Sequence, residues 1–225
     1  MENEDLIKAI KERHSVRKYL DKPIEPNVVA ELSKLINEIN AKGNLNMQLV
    51  TDEPKAFRGI FAYGKFYGVR NYIVITGEKA PDLDDRVGYW GELLVLKAQK
   101  MGLNTCWVGL SYTKVAGTFT LLPGHKVVCY IALGYGENLG VSHKSNTPEQ
   151  VSNIAENSPQ WFRQGVEAAL LAPTAINQQK FYFEYLGDDK VIAHRKFSAV
   201  GYTHIDLGIA IRHFEIASGK TVLKK

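Results

Sequence analysis

The sequence predicts an α+β protein in which helices flank mixed, mostly antiparallel β-sheets. Apolar residues recur at helical spacing in segments bounded by glycine or proline, and short β-type runs lie between these segments. The 225 residues, 45% hydrophobic and 23% charged, can bury a substantial core. A third observation is a similarity between two parts of the chain, which predicts an internal pseudo-two-fold duplication.

The predicted helices begin and end at residues that favour helix boundaries. The second helix follows Glu25 with Pro26 in its first turn and stops before Gly43, and a largely apolar helix begins at Gly88. A later helix is expected to take Ser158 as its N-cap. The predicted helical segments are residues 4–13, 25–41, 88–102, 158–171 and 203–219.

The predicted strands combine β-branched and aromatic residues with turn residues at their ends. The run "KVVCYIALGYG" is apolar and closed by glycines, whereas "KFYFEYLG" and "KVIAHRKF" alternate as a hairpin. A polar stretch rich in turn residues, 135–153, is the predicted linker. The predicted strand segments are residues 46–51, 71–76, 103–108, 126–136, 180–187 and 190–197.

Two parts of the chain resemble each other. The stretches that start at Gly88 and Gly201 both begin Gly-Tyr, continue as a mostly apolar helix and end at a glycine. We therefore predict a first half at residues 1–140 and a second half at 141–225, folded together as one compact unit. Such a chain is expected to be a monomer that corresponds to a fused homodimer.

Composition disfavours several classes of protein. The net charge is only +4 and lysines are mixed with acidic residues, so no nucleic-acid partner is expected. No apolar run is long enough for a bilayer and the start lacks a secretory pattern, so we predict no membrane partner and a cytoplasmic location. Cys106 and Cys129 are expected to be buried, reduced thiols. No metal site is predicted, because His194, His204 and His213 lack metal-ligand spacing; they are expected on a sheet face and a helix surface.

The stretch "RHSVRKY" places Arg13, Ser15 and Arg17 at every second position after the first helix. In an extended segment, side chains at this spacing point the same way. Two guanidinium groups and a hydroxyl on one side would form an anion cradle, because arginine matches phosphate oxygens in pairs. The alternative interpretation is a solvated basic turn that binds nothing in particular.

Two further stretches carry polar or glycine patterns. In "LLAPTAINQQKF", Thr174, Asn177 and Gln179 lie on a loop between a helix and a strand, where amides can bind the edge of a planar heterocycle. The alternative is an ordinary polar connection.

In "MGLNTCWVGL", Gly109 follows a short strand and would let backbone approach a flat ligand. We interpret Cys106 as a packed thiol, because no base stands near it in the sequence.

Together these stretches resemble the nitroreductase family of flavoproteins, through "RHSVRKY", "APTAINQQ" and "GLNTCW", with "IALGYG" after them. The resemblance implies a nitroreductase-like, FMN-dependent fold. The first half has "INAKGNLNMQ" where family members carry the Pro-Ser-type loop, and the second half lacks the Arg-Ser motif. This departure resembles the single-chain, internally duplicated, TM nitroreductase-like branch, in which one of two symmetric flavin sites is lost and each chain holds one FMN.

The resemblance also implies roles for individual residues of the first half. Arg13 and Ser15 would bind the FMN phosphate, and Arg17 would lie near N1 and O2 of the isoalloxazine, where its charge favours the reduced cofactor. Backbone at Val108 and Gly109 would donate to flavin N5, and no side chain is implied as catalytic. The first-half residues implied in cofactor binding are Arg13, His14, Ser15, Arg17, Lys65, Val108 and Gly109.

The second half is implied to supply the loop that a partner subunit supplies elsewhere in the family. Pro173, Thr174 and Asn177 would cover an edge of the flavin ring, and His143 and Lys144 would stand where a second phosphate cation is often found. Lys65 of the first half could approach the pyrimidine ring. The alternative for Lys65 and Lys144 is that they are ordinary surface lysines.

The resemblance implies an FMN-dependent oxidoreductase that works by a ping-pong scheme. Hydride from NADH or NADPH would pass through flavin N5 to a nitroaromatic, a quinone or a similar small-molecule acceptor. One alternative is a flavin-binding carrier or sensor without turnover. Another is a basic nucleotide- or anion-binding module without flavin, which would be colourless and bind its ligand with strong salt dependence.

Overall fold

The computed structural model describes residues 2–60, 62 and 64–223. Contacts divide the chain into two compact units, each discontinuous in sequence. The helical unit comprises the described residues of Met1–Glu12, Asp84–Leu96 and His143–Lys225, and the sheet unit comprises those of Arg13–Leu83 and Lys97–Ser142. The division into halves at residue 140 and the internal duplication stay predictions.

The sheet unit is built on an antiparallel sheet of four strands within the described residues, in the order β1-β2-β4-β3. Central strand β2 is buried along its whole length except at its last residue, because it lies between β1 and β4 and most of its side chains are apolar. Strand β3 forms an edge of the sheet. The elements are α2 (Pro26–Gly43), β1 (Asn46–Val50), β2 (Asn71–Glu78), β3 (Asn104–Val108) and β4 (His125–Gly134).

Stacked aromatic rings form part of the sheet-unit core. Tyr72 and Tyr130 stack with ring centroids 5.2 Å apart, and Tyr112 stacks on Tyr130 at 3.8 Å. Tyr130 also pairs with Val108 in the β3–β4 ladder. Burial raises the pKa of Tyr72 to about 12, so its neutral hydroxyl donates to Oε2 of Glu53 at 3.0 Å. This packing supports the C-terminal end of β3.

The helical unit combines packed helices with a β-hairpin. Helix α6 contacts α5, α1 and the hairpin strands, and the ring of its Phe214 stacks on Phe183 at 4.6 Å. The hairpin turns at Asp188 and Asp189, both with positive φ. The elements are α1 (Glu2–Glu12), α4 (Pro148–Val151), α5 (Gln160–Ala169), β5 (Phe181–Gly187), β6 (Lys190–Arg195) and α6 (Thr203–Ser218), together with residues 84–96 of α3 (Leu83–Lys100).

The structure contains every helix and strand that the sequence predicts, with differences at helix ends and one additional short helix. Helix α3 begins at Leu83, ahead of the predicted Gly88, because acidic residues occupy its first turn. Helix α4 lies inside the predicted linker and is too short to show a periodic pattern. The prediction that Ser158 caps α5 was wrong: Pro159 is at the N-cap, and Ser158 Oγ accepts from the N–H of Ala155 at 2.9 Å. No described helix is long and apolar enough to cross a bilayer.

Two glycines allow α3 and α6 to pack with their backbones in contact. A Cβ atom at Gly88 would lie 2.1 Å from the carbonyl oxygen of Ile205, and one at Gly208 would lie 2.3 Å from that of Asp85. We expect Gly88→Ala and Gly208→Ala each to lower the free energy of unfolding by about 2 kcal/mol, because neither backbone can move aside freely.

Urea unfolding measures this effect, with the exposed Glu167→Ala on α5 as the control. Alanine at an unobstructed helix position would instead stabilise by about 1 kcal/mol relative to glycine. A stabilised Gly88→Ala or Gly208→Ala protein would therefore contradict the close packing of α3 on α6.

Candidate functional site

The segment after helix α1 runs along the edge of the sheet in an extended conformation. The N–H of Val16 donates to the carbonyl of Thr105 in β3 at 3.0 Å, and Tyr67 N–H donates to the carbonyl of Arg17 at 2.9 Å. The N–H of Tyr19 donates in turn to the carbonyl of Tyr67 at 3.0 Å. Since the side chains of Val16 and Tyr19 are buried, both backbone and packing hold this segment in place.

Three polar residues of this segment act on the thiol of Cys106, which is 2% exposed. Burial raises the pKa of Cys106, while the charge of Arg17, a hydrogen bond with Ser15 and the charge of Arg13 act in the opposite direction. Arg13 is itself buried and Arg17 is exposed. The expectation that these three side chains share one side stays a prediction. Cys106 is a packed, neutral thiol, and Cys129 is likewise buried and reduced.

Glycines outside the predicted motifs complete the surroundings of the segment. Gly140 has φ +76°, and a Cβ atom there would lie 2.7 Å from Cβ of His14. Gly68 has φ +70° and would place a Cβ atom 2.1 Å from the carbonyl oxygen of Tyr19. Sequence reasoning missed both residues. The cluster "GYGENLG" was a signal for close backbone approach, but it was assigned to the linker.

We expect Gly140→Ala to destabilise the protein more than Gly117→Ala. Both glycines have positive φ, +76° and +78°, but nothing lies within 4 Å of a Cβ atom at Gly117. Strain alone should cost Gly117→Ala about 1 kcal/mol, and the collision with His14 should bring Gly140→Ala to about 3 kcal/mol. Urea unfolding of both variants checks this difference, and equal losses would show that the 138–140 turn does not press on the segment.

The other predicted residues of the sheet unit meet at the loop that follows β3. Val108 is the last residue of β3 and is buried, and Gly109 comes directly after it, half-buried. Lys65 donates from Nζ to Oγ of Ser111 at 3.3 Å, with its side chain exposed. The structure therefore brings Lys65 close to the loop after Gly109.

In the helical unit, His143 and Lys144 contact the end of α5 and the loop that follows it. Nε2 of His143 lies 2.9 Å from the carbonyl oxygen of Leu170 and must carry a hydrogen to donate to it. The carbonyl oxygen of Lys144 accepts from Nδ2 of Asn177 at 2.8 Å and from Nε2 of Gln179 at 2.9 Å. The contribution of Lys144 to these contacts is its backbone, whereas its side chain is exposed.

The loop Pro173–Gln179, which we call the Asn177 loop, has a strained backbone. Ile176, Asn177 and Gln179 have φ of +48°, +59° and +46°. Oδ1 of Asn177 accepts from Nε2 of Gln179 at 3.0 Å, and Thr174 Oγ1 accepts from the N–H of Gln179 at 3.1 Å. The amides that we predicted to bind a heterocycle edge therefore brace the loop itself. Pro173 is buried.

Asp206 on α6 also holds the Asn177 loop, and sequence reasoning missed it. Its Oδ1 accepts from the N–H of Ala175 at 2.9 Å, and its Oδ2 accepts from Nε2 of Gln178 at 2.7 Å. The residue is 3% exposed, and burial raises its pKa to about 6. An aspartate in the first turn of a helix is common, so the sequence offered no distinguishing signal.

The histidines occupy different environments. His194 on β6 lies 2.8 Å from Glu184 and His204 on α6 lies 3.1 Å from Asp85, both partly exposed as expected. The expectation of a surface position was wrong for His213, whose side chain is fully buried and contacts helix α3. Within residues 2–60, 62 and 64–223, no three potential metal ligands lie close enough together to hold a metal ion.

This fold, with helices around antiparallel sheets and a basic segment along an edge strand, is that of the nitroreductase-type oxidoreductases. The chain belongs to the family described as "Putative TM nitroreductase", whose model matches residues 5–218. The resemblance seen in the sequence and the predicted fold class are thereby confirmed.

Solved structures agree with this fold. A "putative nitroreductase" from Thermotoga maritima MSB8 is 22% identical, with 98% of this chain and 88% of that chain covered and a TM-score of 0.69. A "putative nitroreductase in complex with FMN" from Desulfovibrio desulfuricans is 19% identical, with coverages of 68% and 98% and a TM-score of 0.52. NfrA2 from B. megaterium is 12% identical, with coverages of 72% and 78% and a TM-score of 0.52. No curated protein matches the chain significantly.

Proposed function

We propose that this protein is an FMN-dependent oxidoreductase that takes hydride from NADH or NADPH and reduces a nitroaromatic, a quinone or a similar small acceptor. The observation that carries the proposal is the extended segment with Arg13, Ser15 and Arg17, which runs beside edge strand β3 and pairs with it at Ser15 and Thr105. Membership of the nitroreductase family supports the reaction class. The FMN complex of a protein with the same fold supports the choice of flavin.

The donor groups of the segment fit a phosphate monoester. Arginine offers paired N–H donors to phosphate oxygens, and a serine hydroxyl adds a further donor. The buried position of Arg13 strengthens its attraction for an anion, because less water screens the charge. The backbone hydrogen bonds of Val16 and Tyr19 fix the segment before a ligand arrives, so little ordering is needed on binding.

In this proposal the chain supplies binding and polarity. Bound FMN supplies the hydride-accepting chemistry. Arg13 and Ser15 would bind its phosphate, and the positive charge of Arg17 near N1 and O2 would favour the reduced cofactor. The backbone at Val108 and Gly109 would offer an N–H to N5.

Two groups of predicted contacts need separate tests. Lys65 is proposed to approach the pyrimidine edge, because its contact with Ser111 keeps it near the loop after Gly109. His14 belongs to the basic segment and packs against Gly140. The residues of the helical unit remain predicted FMN contacts, and variants of that unit test them independently: His143, Lys144, Pro173, Thr174 and Asn177.

The direct test is the visible spectrum of the purified protein after incubation with FMN and desalting, followed by anaerobic addition of NADH and NADPH. About one equivalent of flavin per chain that bleaches with either nucleotide is the expected result. Flavin that is retained but not bleached would replace the reductase with a flavin carrier or sensor. A folded protein that retains no flavin would contradict the proposal and favour an anion-binding module, whose affinity for a nucleotide should fall steeply with salt.

A further inference from the structure

The Asn177 loop adopts a conformation that its own sequence does not favour. Left-handed φ values are uncommon outside glycine, and a β-branched residue such as Ile176 is a genuine outlier there. Each such residue costs about 1–3 kcal/mol and persists only where surrounding contacts hold it. Ile176 is 77% exposed, so the packing of its own side chain does not provide this stabilisation.

Asp206 provides contacts at both ends of the strained turn. The N–H of Ala175 and the amide of Gln178 flank Ile176 and Asn177, and both donate to the one carboxylate. Gln178 Nε2 also donates to the carbonyl of Gly201 at 3.0 Å, which ties the turn to the residues before α6. The other contacts of the loop, through Thr174 and Lys144, involve groups that do not ionise near neutral pH.

We propose that Asp206 is a positioning residue that holds the Asn177 loop in its binding conformation only while its carboxylate is charged. The part of this inference that concerns FMN rests on the proposed function, whereas the part that concerns the loop does not. The reason is the polarity of the two contacts. Both partners are donors: a carboxylate accepts strongly from both, whereas a protonated carboxyl keeps one strong acceptor, because its hydroxyl oxygen accepts only weakly.

Because of its surroundings, the Asp206 carboxylate is expected to become protonated in mildly acidic solution. Burial raises the pKa to about 6, although the hydrogen bonds from Ala175 and Gln178 and the N-terminal end of α6 favour the charged form. Neighbouring ionisable groups have other partners: Arg195 of β6 donates to Thr203 Oγ1 at 3.1 Å, and His204 of α6 lies 3.1 Å from Asp85 of α3.

A fall in pH affects the loop and the whole protein in opposite directions: the loop loses order, whereas the free energy of unfolding rises. The folded-state pKa of Asp206 lies above its ordinary value of 3.8, so its contribution to the free energy of unfolding decreases as pH rises from about 4 to about 6. Above this range the buried charge lowers global stability and orders the loop. Below it, the fold gains stability while the loop loses a contact.

The experiment compares the wild-type protein with Asp206→Asn and with Asp189→Asn, both measured from about pH 5 to about pH 8. Asp189 is exposed and pairs with Lys220, so its variant removes one charge from the same unit without touching the loop. One readout is hydrogen exchange of a peptide that covers the Asn177 loop, corrected with an unstructured peptide of the same sequence. The other is the FMN dissociation constant from fluorescence quenching.

In wild type and Asp189→Asn, we expect loop protection and FMN affinity both to fall about tenfold as pH drops through about 6, the effect of one lost charged hydrogen bond. Asparagine can accept from Ala175 but places its own amide donor towards Gln178. Asp206→Asn should therefore show, at every pH, the low protection that wild type shows in acid.

The possible outcomes separate the two proposals. A pH-dependent loop in Asp206→Asn, or a wild-type loop whose protection does not change with pH, overturns the role of Asp206. Absence of FMN binding in all three proteins contradicts the proposed function, while the hydrogen-exchange comparison still decides the positioning role. Loop protection that changes as expected while FMN affinity stays constant would overturn the link between this loop and the flavin.

Discussion

Arg13→Ala is expected to raise the dissociation constant of FMN by at least about 100-fold, equivalent to about 2.7 kcal/mol. The variant removes a buried guanidinium from the extended segment that also carries Ser15 and Arg17. A charge-assisted hydrogen bond contributes about 1.5–3 kcal/mol, and arginine can form two such bonds to one phosphate. Fluorescence titration with FMN measures the change, and titration with inorganic phosphate as competitor reports on the phosphate position.

Two matched variants make the Arg13 result interpretable. Lys18→Ala removes the same charge from the same segment, but its exposed ammonium lies over the ring of Tyr67, so affinity should change less than about threefold. Arg13→Lys keeps the charge and loses the planar fork, so an intermediate loss of about tenfold is expected. Far-ultraviolet circular dichroism checks that each variant folds. Native FMN affinity in a folded Arg13→Ala protein would exclude Arg13 as a phosphate ligand.

Glu92→Leu and His213→Phe are each expected to lower the free energy of unfolding by about 3–5 kcal/mol. Nε2 of His213 lies 2.9 Å from Oε1 of Glu92, and Nδ1 lies 3.0 Å from the carbonyl oxygen of Ala168. Both side chains are fully buried, so either single change leaves a polar group without its partner in a site that water does not reach. The pair joins α3, α5 and α6, and its loss should weaken all three helices together.

Replacing both members of the buried pair tests the physical reason for this loss. The double variant Glu92→Leu with His213→Phe removes both polar groups, so it should be more stable than either single variant. Glu184→Gln serves as the control, because its partner His194 is partly exposed and such pairs contribute about 1 kcal/mol or less. Urea unfolding at constant pH provides the comparison. Losses in the single variants no larger than in Glu184→Gln would contradict a buried pair.

The correct predictions from the sequence depend mostly on residues that are near each other in the chain. The helical spacing around Pro26 and the alternation in "KFYFEYLG" identify α2 and β5, because periods of 3.6 and 2 place apolar residues on one face. The same two-residue period predicts that Arg13, Ser15 and Arg17 share one side of their segment. Three separated motifs were sufficient for the family resemblance, which the family match confirmed.

The tertiary structure alone decided which distant groups meet. Asp206 and Ala175 are 31 positions apart, and Glu92 and His213 are 121 apart, so no local pattern links either pair. The position of His213 was misjudged for this reason, since its neighbours on α6 do not show which helix covers it. Contacts between distant residues depend on how complete elements pack, and this packing arises from the summed burial of many side chains. Local periodicity therefore determined the elements of this protein, while long-range packing decided the surroundings of Cys106 and the contacts of Asp206.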